Sequence, residues 1–286
     1  MFGAGIVSSN KSGREATGDF LMHGLLAISA LHYGHVHPEK HDEYELISNR
    51  HQEAASSLFS SQLHNLNEHN CNAFVVLATL LFRIQTFVIA DSHARGRHIT
   101  TQQIAQSFML SQGTKSIFSI PPVWTWVRRG PLAAVLDLPH TEPANTSPPG
   151  AFATQLDRLL DLARSILGSP DALELRSACI LAVESLRLTY AFLCGSPTPR
   201  SDCVWLWPVT APPRFLQAVG EGQPVALVVL AHYAVLTRHC EDSWVLEGWS
   251  EAVVGAVEGA LEGKGWEGWV GWAGRCVREG VDVLGA

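Results

Sequence analysis

The sequence predicts an all-α protein. Almost every long apolar segment repeats at spacings of three and four residues, and the alternation typical of β-strands is nearly absent. With 286 residues, 47% of them hydrophobic, the chain is long enough to bury a sizeable core. We therefore expect a large helical domain of two packed halves with about ten helices.

The first two helices follow from one capping residue and one proline. Asp19 is a suitable N-cap for a helix that runs to about Val36, and residues 1–18 before it are predicted to be a flexible N-terminus. Pro38 favours a fresh helix start. Apolar positions then recur at helical spacing from 44 to 66, so one face of the second helix is expected to be buried.

The third helix is predicted to lie at the centre of the N-terminal half, residues 19–136. Asn70 or Asn72 opens it, and the following segment, CNAFVVLATLLFRIQTFVIADS, is apolar nearly all round. A fourth helix is expected over residues 100–117, and short helices over residues 121–136.

A proline-rich linker is predicted at residues 137–150, DLPHTEPANTSPPG. The C-terminal helical half, residues 151–286, opens with FATQLDRLLDLARSIL and continues with an amphipathic helix over residues 170–194. After the breaker-rich segments GSPTPR, WLWP and APPRF, the segment PVALVVLAHYAVL at residues 224–236 predicts a second central helix.

Charge and composition argue against several classes of protein. The formal net charge is −7, and no stretch gathers the 20 Lys and Arg residues into a basic patch, so this chain is not expected to bind nucleic acid. The N-terminus lacks the pattern of a signal peptide, and Arg83 and Gln85 interrupt the most apolar segment, so neither secretion nor a membrane span is predicted.

Metal and cofactor motifs are not evident in the sequence. The six cysteines form no CxxC pair, which predicts reduced and mostly buried thiols. The densest group of potential metal ligands is His32, His35, His37 and His41, but its spacing matches no established zinc motif. The sequence also contains no GxSxG, HExxH, P-loop or dinucleotide fingerprint. We expect no metal and no cofactor.

An ordered set of segments resembles a known family. In chain order, the segments are LMHGLLAISALHY, YELISNRHQEAASSL, NCNAFVVLATLLF, VWTWVRRGPLAAVL, VWLWPV and PVALVVLAHYAVL with WVLEGW. Together they resemble the regulatory domain of fungal zinc-cluster transcription factors of the sterol uptake control type, from about residue 20 to about residue 272.

The resemblance implies a helical domain that encloses an apolar pocket for a small, sterol-like ligand, is often dimeric, and acts in the nucleus or the cytoplasm. The six-cysteine zinc cluster and basic segment of such factors are missing from this sequence. The chain is therefore expected to be either part of a longer factor or a stand-alone relative.

The ligand-binding residues expected on this basis are apolar or aromatic side chains of the central helices and the tryptophan-rich segments. They are Phe74, Leu77, Leu81, Trp124, Trp126, Trp205, Trp207, Phe215, Leu230, His232 and Tyr233. For Tyr233, a hydroxyl group exposed to water at the edge of the domain is an equally simple interpretation.

An enzyme is the alternative to a regulatory domain. In that case the apolar pocket would cyclise a polyketide or terpenoid substrate without a cofactor, because orientation supplies most of what such a reaction needs. Arg128 and Arg129 would activate a substrate oxygen. The competing interpretation is that one arginine packs over a tryptophan face while the other is solvated or caps a helix end.

Overall fold

This computed structural model describes residues 5–133, 150–195 and 204–285, with side chains from residue 18 onward. The described residues form twelve α-helices and two short 3-10 turns, and no strand occurs among them. The all-α prediction is confirmed.

The helices of the first part of the chain are α1 Gly5–Val36, α2 His41–Gln62, α3 Cys71–Ala94, α4 Thr101–Phe118 and α5 Val123–Arg129. Those after the linker are α6 Ala151–Arg164, α7 Pro170–Cys194, α8 Leu206–Thr210, α9 Pro213–Gly220, α10 Pro224–Arg238, α11 Trp249–Leu261 and α12 Glu267–Glu279.

The helices group into two compact units. The first unit holds the described residues up to 84 together with 113–133, and the second holds 85–112, 150–195 and 204–285. Helices α3 and α4 each contribute residues to both units.

The first unit is organised around the start of α3. Phe74 and Leu77 are fully buried there, in a cluster that also contains Phe20 of α1. Gly24 lies directly against Leu77, where a Cβ atom on residue 24 would overlap the leucine side chain. The small residue in the LMHGLLAISALH segment thus allows α1 and α3 to pack closely.

The second unit is organised around α10. Every residue of this helix from Ala226 to Thr237 is buried, as its continuous apolar sequence predicts. Helices α7, α11 and α12 pack against it.

Hydrogen bonds to Glu241 fix the turn between α10 and α11. Its carboxylate accepts from Arg238 at 2.6 Å and from the backbone N–H of Ser250 at 2.7 Å.

Two local predictions differ from the structure or lie outside it. Helix α1 begins at Gly5, so Asp19 lies inside the helix and does not cap it, because no proline interrupts the chain before Pro38. Of the predicted linker, residues 137–149 lie outside the described residues.

Two described helices, α3 and α7, are long and apolar enough to cross a membrane by length and composition alone. The bent pair of α9 and α10 would be a third span if it crossed as one. In the fold, 56% of the most apolar stretch of α3 and 44% of that of α7 are buried against other residues.

Candidate functional site

Five of the residues expected to bind ligand lie in the first unit. Phe74 packs in an aromatic group with ring-centroid distances of 4.8 Å to Phe20 and 5.1 Å to Phe59. Leu77 is also fully buried, and Leu81 and Trp126 pack partly buried against the same cluster. Trp124 is 48% exposed.

The two arginines proposed for an enzyme, Arg128 and Arg129, lie exposed at the end of α5. The Arg128 guanidinium lies over the Trp124 ring, 5.5 Å from its centroid. This is the stacking arrangement that competes with a catalytic role.

The other six expected residues lie in the second unit, where Trp205, Trp207, Phe215 and Tyr233 belong to one aromatic cluster. The rings of Trp207 and Tyr233 are stacked with centroids 4.3 Å apart, and Phe215 meets Trp207 edge-on at 5.5 Å. Trp205 meets Trp249 edge-on at 6.2 Å. Leu230 is fully buried among the same helices.

Hydrogen bonds hold the polar ends of this cluster. The Trp207 indole N–H donates to the Ala182 carbonyl at 2.8 Å, and the Tyr233 hydroxyl donates to the Val204 carbonyl at 3.0 Å. Tyr233 is fully buried, so the interpretation that its hydroxyl lies in water is wrong. Burial raises the pKa of Tyr233 well above its usual value, and the phenol stays neutral.

His232 is buried with half of its hydrogen-bonding capacity used. Its Nδ1 lies 2.8 Å from the Val228 carbonyl, which fixes the tautomer with a proton on Nδ1. The ring stacks on Trp272 at 5.5 Å. Burial lowers the pKa of His232 to about 4, so the ring is neutral near pH 7 and its Nε2 carries a lone pair.

Several buried polar atoms of the second unit have no hydrogen-bond partner among the described residues. Besides His232 Nε2, they include the indole nitrogen of Trp249 and the hydroxyl oxygen of Ser250. Buried groups of this kind normally find partners, and each costs about 1–3 kcal/mol when left unsatisfied.

The second unit also contains a cavity of about 330 Å³ between the second half of α3 and the first half of α4, termed here the α3–α4 cavity. Its aliphatic lining consists of Val88, Ile89, Ile99 and Leu110. Its polar lining consists of Gln85, Ser92, Gln103, Gln106 and Ser107. None of these residues was expected from the sequence to bind ligand, although glutamines and serines facing an apolar stripe are a signal that could have indicated them.

A second groove, of about 450 Å³, lies between α11 and α12. Glu258, Glu262 and Glu267 contribute carboxylates to it, and Glu258 already forms a two-point ion pair with Arg278 at 2.9 and 3.0 Å.

The histidine-rich segment contains one group of side chains with metal-ligand geometry. His41 Nδ1 lies 3.2 Å from an Asp42 carboxylate oxygen and 3.9 Å from one of Glu45. The imidazole is buried, whereas Asp42 is largely exposed. The distances are those of a hydrogen bond to Asp42 and a longer polar contact to Glu45 at the start of a helix.

The described cysteines are free thiols. Cys71, Cys179, Cys240 and Cys276 are buried and Cys194 is half-buried, which confirms the expectation of reduced, mostly buried cysteines for these five. Burial raises the pKa of the Cys179 thiol to about 12, so it is an unreactive core residue.

Comparison with known proteins gives one match. Residues 7–124 match the family model described as fungal specific transcription factor domain. The matched region runs from α1 into α5 and covers less than half of the chain. No curated protein and no solved structure matches the chain. The match supports a regulatory domain of a fungal transcription factor.

Proposed function

We propose that this chain is the ligand-responsive regulatory domain of a zinc-cluster-type fungal transcription factor, and that it binds a small apolar molecule of sterol-like character. The match of residues 7–124 to the fungal transcription factor domain carries the proposal. The order of the sequence segments beyond residue 124 supports its extension to the rest of the chain. Such a domain acts in the nucleus when it is joined to a DNA-binding region.

The interior of the second unit supports the ligand-binding part of the proposal. Its α3–α4 cavity combines an aliphatic surface with the amide and hydroxyl groups of Gln103 and Ser107. A ligand shifts a conformational equilibrium only by its differential affinity for the two states. A packing in which a ligand hydroxyl forms hydrogen bonds to such groups is stabilised relative to one without those hydrogen bonds.

A reporter experiment tests this function. The full chain is fused to a heterologous DNA-binding domain in yeast, and reporter output is compared between sterol-replete cells and cells in which sterol synthesis is blocked. We expect the output to change about fivefold or more, as allosteric coupling free energies of 1–3 kcal/mol give. The DNA-binding domain alone is the control, and equal output of the fusion in both conditions would contradict the proposal.

A further inference from the structure

The α3–α4 cavity has walls that local hydrogen bonds hold in place. Helix α3 ends at Ala94 and is followed by Gly96, whose φ of +73° suits glycine, and the N–H of Arg97 donates to the Ser92 carbonyl at 2.9 Å. At the start of α4, the N–H of Gln103 donates to the Thr100 hydroxyl oxygen at 3.2 Å, and the Gln103 side-chain oxygen accepts the N–H of Thr100 at 2.9 Å. The turn that closes the cavity is therefore defined at both helix ends.

The lining of the cavity is amphipathic and carries no charge among the described residues. Aliphatic side chains share it with amide and hydroxyl groups; Ile89, Ile99 and Ser107 are nearly fully buried, whereas Gln103, Gln106 and Leu110 are exposed at its mouth. A carboxylate or an ammonium group held against the buried part of the lining would lose hydration there without meeting an opposite charge, which is costly. The lining thus favours an uncharged ligand.

The polar groups of the lining complement a hydroxyl. Ser107 donates its own hydroxyl hydrogen to the Ile104 carbonyl at 2.7 Å, so its oxygen is left to accept. Gln103 is exposed at the mouth and uses its side-chain oxygen at the helix start, so its Nε2 hydrogens remain to donate to a ligand. A ligand hydroxyl both donates and accepts, and it can satisfy both groups.

The volume limits how much of a ligand the cavity encloses. The volume of the cavity is about 330 Å³. This lies at the lower end of the range of about 300–1,000 Å³ for small-molecule pockets. The cavity therefore holds a small molecule, or one end of a larger molecule such as a sterol.

We propose that the α3–α4 cavity binds the uncharged, hydroxyl-bearing end of an apolar ligand. That this binding regulates the protein rests on the function proposed above. The ring system of the ligand contacts the aliphatic wall, and its hydroxyl lies between Ser107 and Gln103. The aromatic cluster around Tyr233 is then core packing, and is not the place where the ligand binds.

Binding of simple probes tests the cavity directly. 2-Naphthol, its carboxylate analogue 2-naphthoate and ergosterol are titrated into the full chain by calorimetry or equilibrium dialysis. Ser92→Phe fills the cavity from α3, and Leu110→Trp fills it from the rim, where residue 110 is 39% exposed. Gln102→Phe places the same aromatic ring on the exposed side of α4, outside the lining, and is the matched control. Urea unfolding identifies the variants that retain the fold.

We expect 2-naphthol to bind the wild type and Gln102→Phe with equal affinity. Its affinity for each folded cavity-filling variant should be at least about tenfold lower, a loss of about 1.4 kcal/mol or more in binding free energy. 2-Naphthoate should bind the wild type at least about tenfold more weakly than 2-naphthol, because its charge is not paired in the cavity. Failure of 2-naphthol to bind, undiminished binding to a filled variant, or equal affinity for 2-naphthoate would overturn the proposal. If Ser92→Phe weakens the binding of ergosterol, the cavity binds one end of the sterol. If ergosterol binds and neither cavity-filling variant weakens its binding, the sterol lies elsewhere and the proposal is overturned.

The reporter fusion separates this inference from the proposed function. A reporter that still responds to sterol when it carries Ser92→Phe removes the cavity from regulation and leaves the regulatory function standing. If the reporter never responds to sterol but Ser92→Phe abolishes the binding of 2-naphthol, the regulatory function is refuted and the cavity remains a binding site.

Discussion

His232 should make the second unit sensitive to mild acid. The ring is 1% exposed, and burial lowers its pKa from 6.5 to about 4. Below about pH 6.5 the unfolded chain takes up a proton at this histidine, whereas the folded chain does so only near pH 4. The free energy of unfolding therefore falls as the pH drops through this window.

The size of the effect follows from the two pKa values. A difference of about 2.5 units corresponds to about 3 kcal/mol when both states are fully protonated, and to about 2 kcal/mol at pH 5. The variant His232→Phe removes the titrating group and the unpaired Nε2, and it retains a ring to stack on Trp272. At pH 7.5 its stability should lie within about 1 kcal/mol of that of the wild type.

Urea unfolding at pH 7.5 and pH 5, followed by tryptophan fluorescence, measures this difference. Between the two pH values the wild type should lose about 2 kcal/mol more than His232→Phe, because other titrating groups contribute equally to both proteins. His98→Phe, at an exposed position in the α3–α4 turn, is the control and should follow the wild type. Parallel loss of stability in wild type and His232→Phe would refute the burial argument.

Other substitutions test the packing of the second unit. Leu186→Ala removes a fully buried side chain of α7 and should lower the free energy of unfolding in urea by about 2–5 kcal/mol. Leu181→Ala, at a position 58% exposed on the same helix, should change it by about 0.5 kcal/mol or less. Equal costs would contradict the assignment of buried and exposed faces. Tyr233→Phe leaves the buried Val204 carbonyl without its donor and should cost about 1–3 kcal/mol, and an unchanged unfolding midpoint would argue against that hydrogen bond. Thr100→Ala removes the cap of α4 and should cost about 1 kcal/mol, with earlier hydrogen exchange in the first turn of the helix, while uniform exchange would refute a local capping role.

Much of the fold could be predicted from sequence because helix periodicity and its terminators are local signals. The predicted start of α4 near Thr100 and the bounds of α7 from Pro170 to Cys194 agree with the structure, since a capping threonine and a proline at the first helical position act within one turn. The start of α1 was predicted wrongly at Asp19, since a favourable cap residue does not end a helix that can continue past it.

The site residues were harder to predict, because apolar side chains look alike in sequence whether they line a pocket or fill a core. Phe74 and Trp207 were expected to bind ligand, and the structure buries both among other aromatic rings, which leaves their role in binding a prediction. The α3–α4 cavity has a sequence signal of a different kind. Gln85 was noted only as an interruption of an apolar segment, although it lines the cavity with two further glutamines of α4.

The most direct test for a bound regulatory ligand is native mass spectrometry. The full chain is purified from a fungal host, and bound molecules are then extracted and identified. We expect a stoichiometric, uncharged, hydroxyl-bearing apolar molecule on the wild type and on Gln102→Phe, and its loss from Ser92→Phe. A wild-type chain that carries no such molecule, and gains no mass when ergosterol is added, would contradict a ligand-responsive domain.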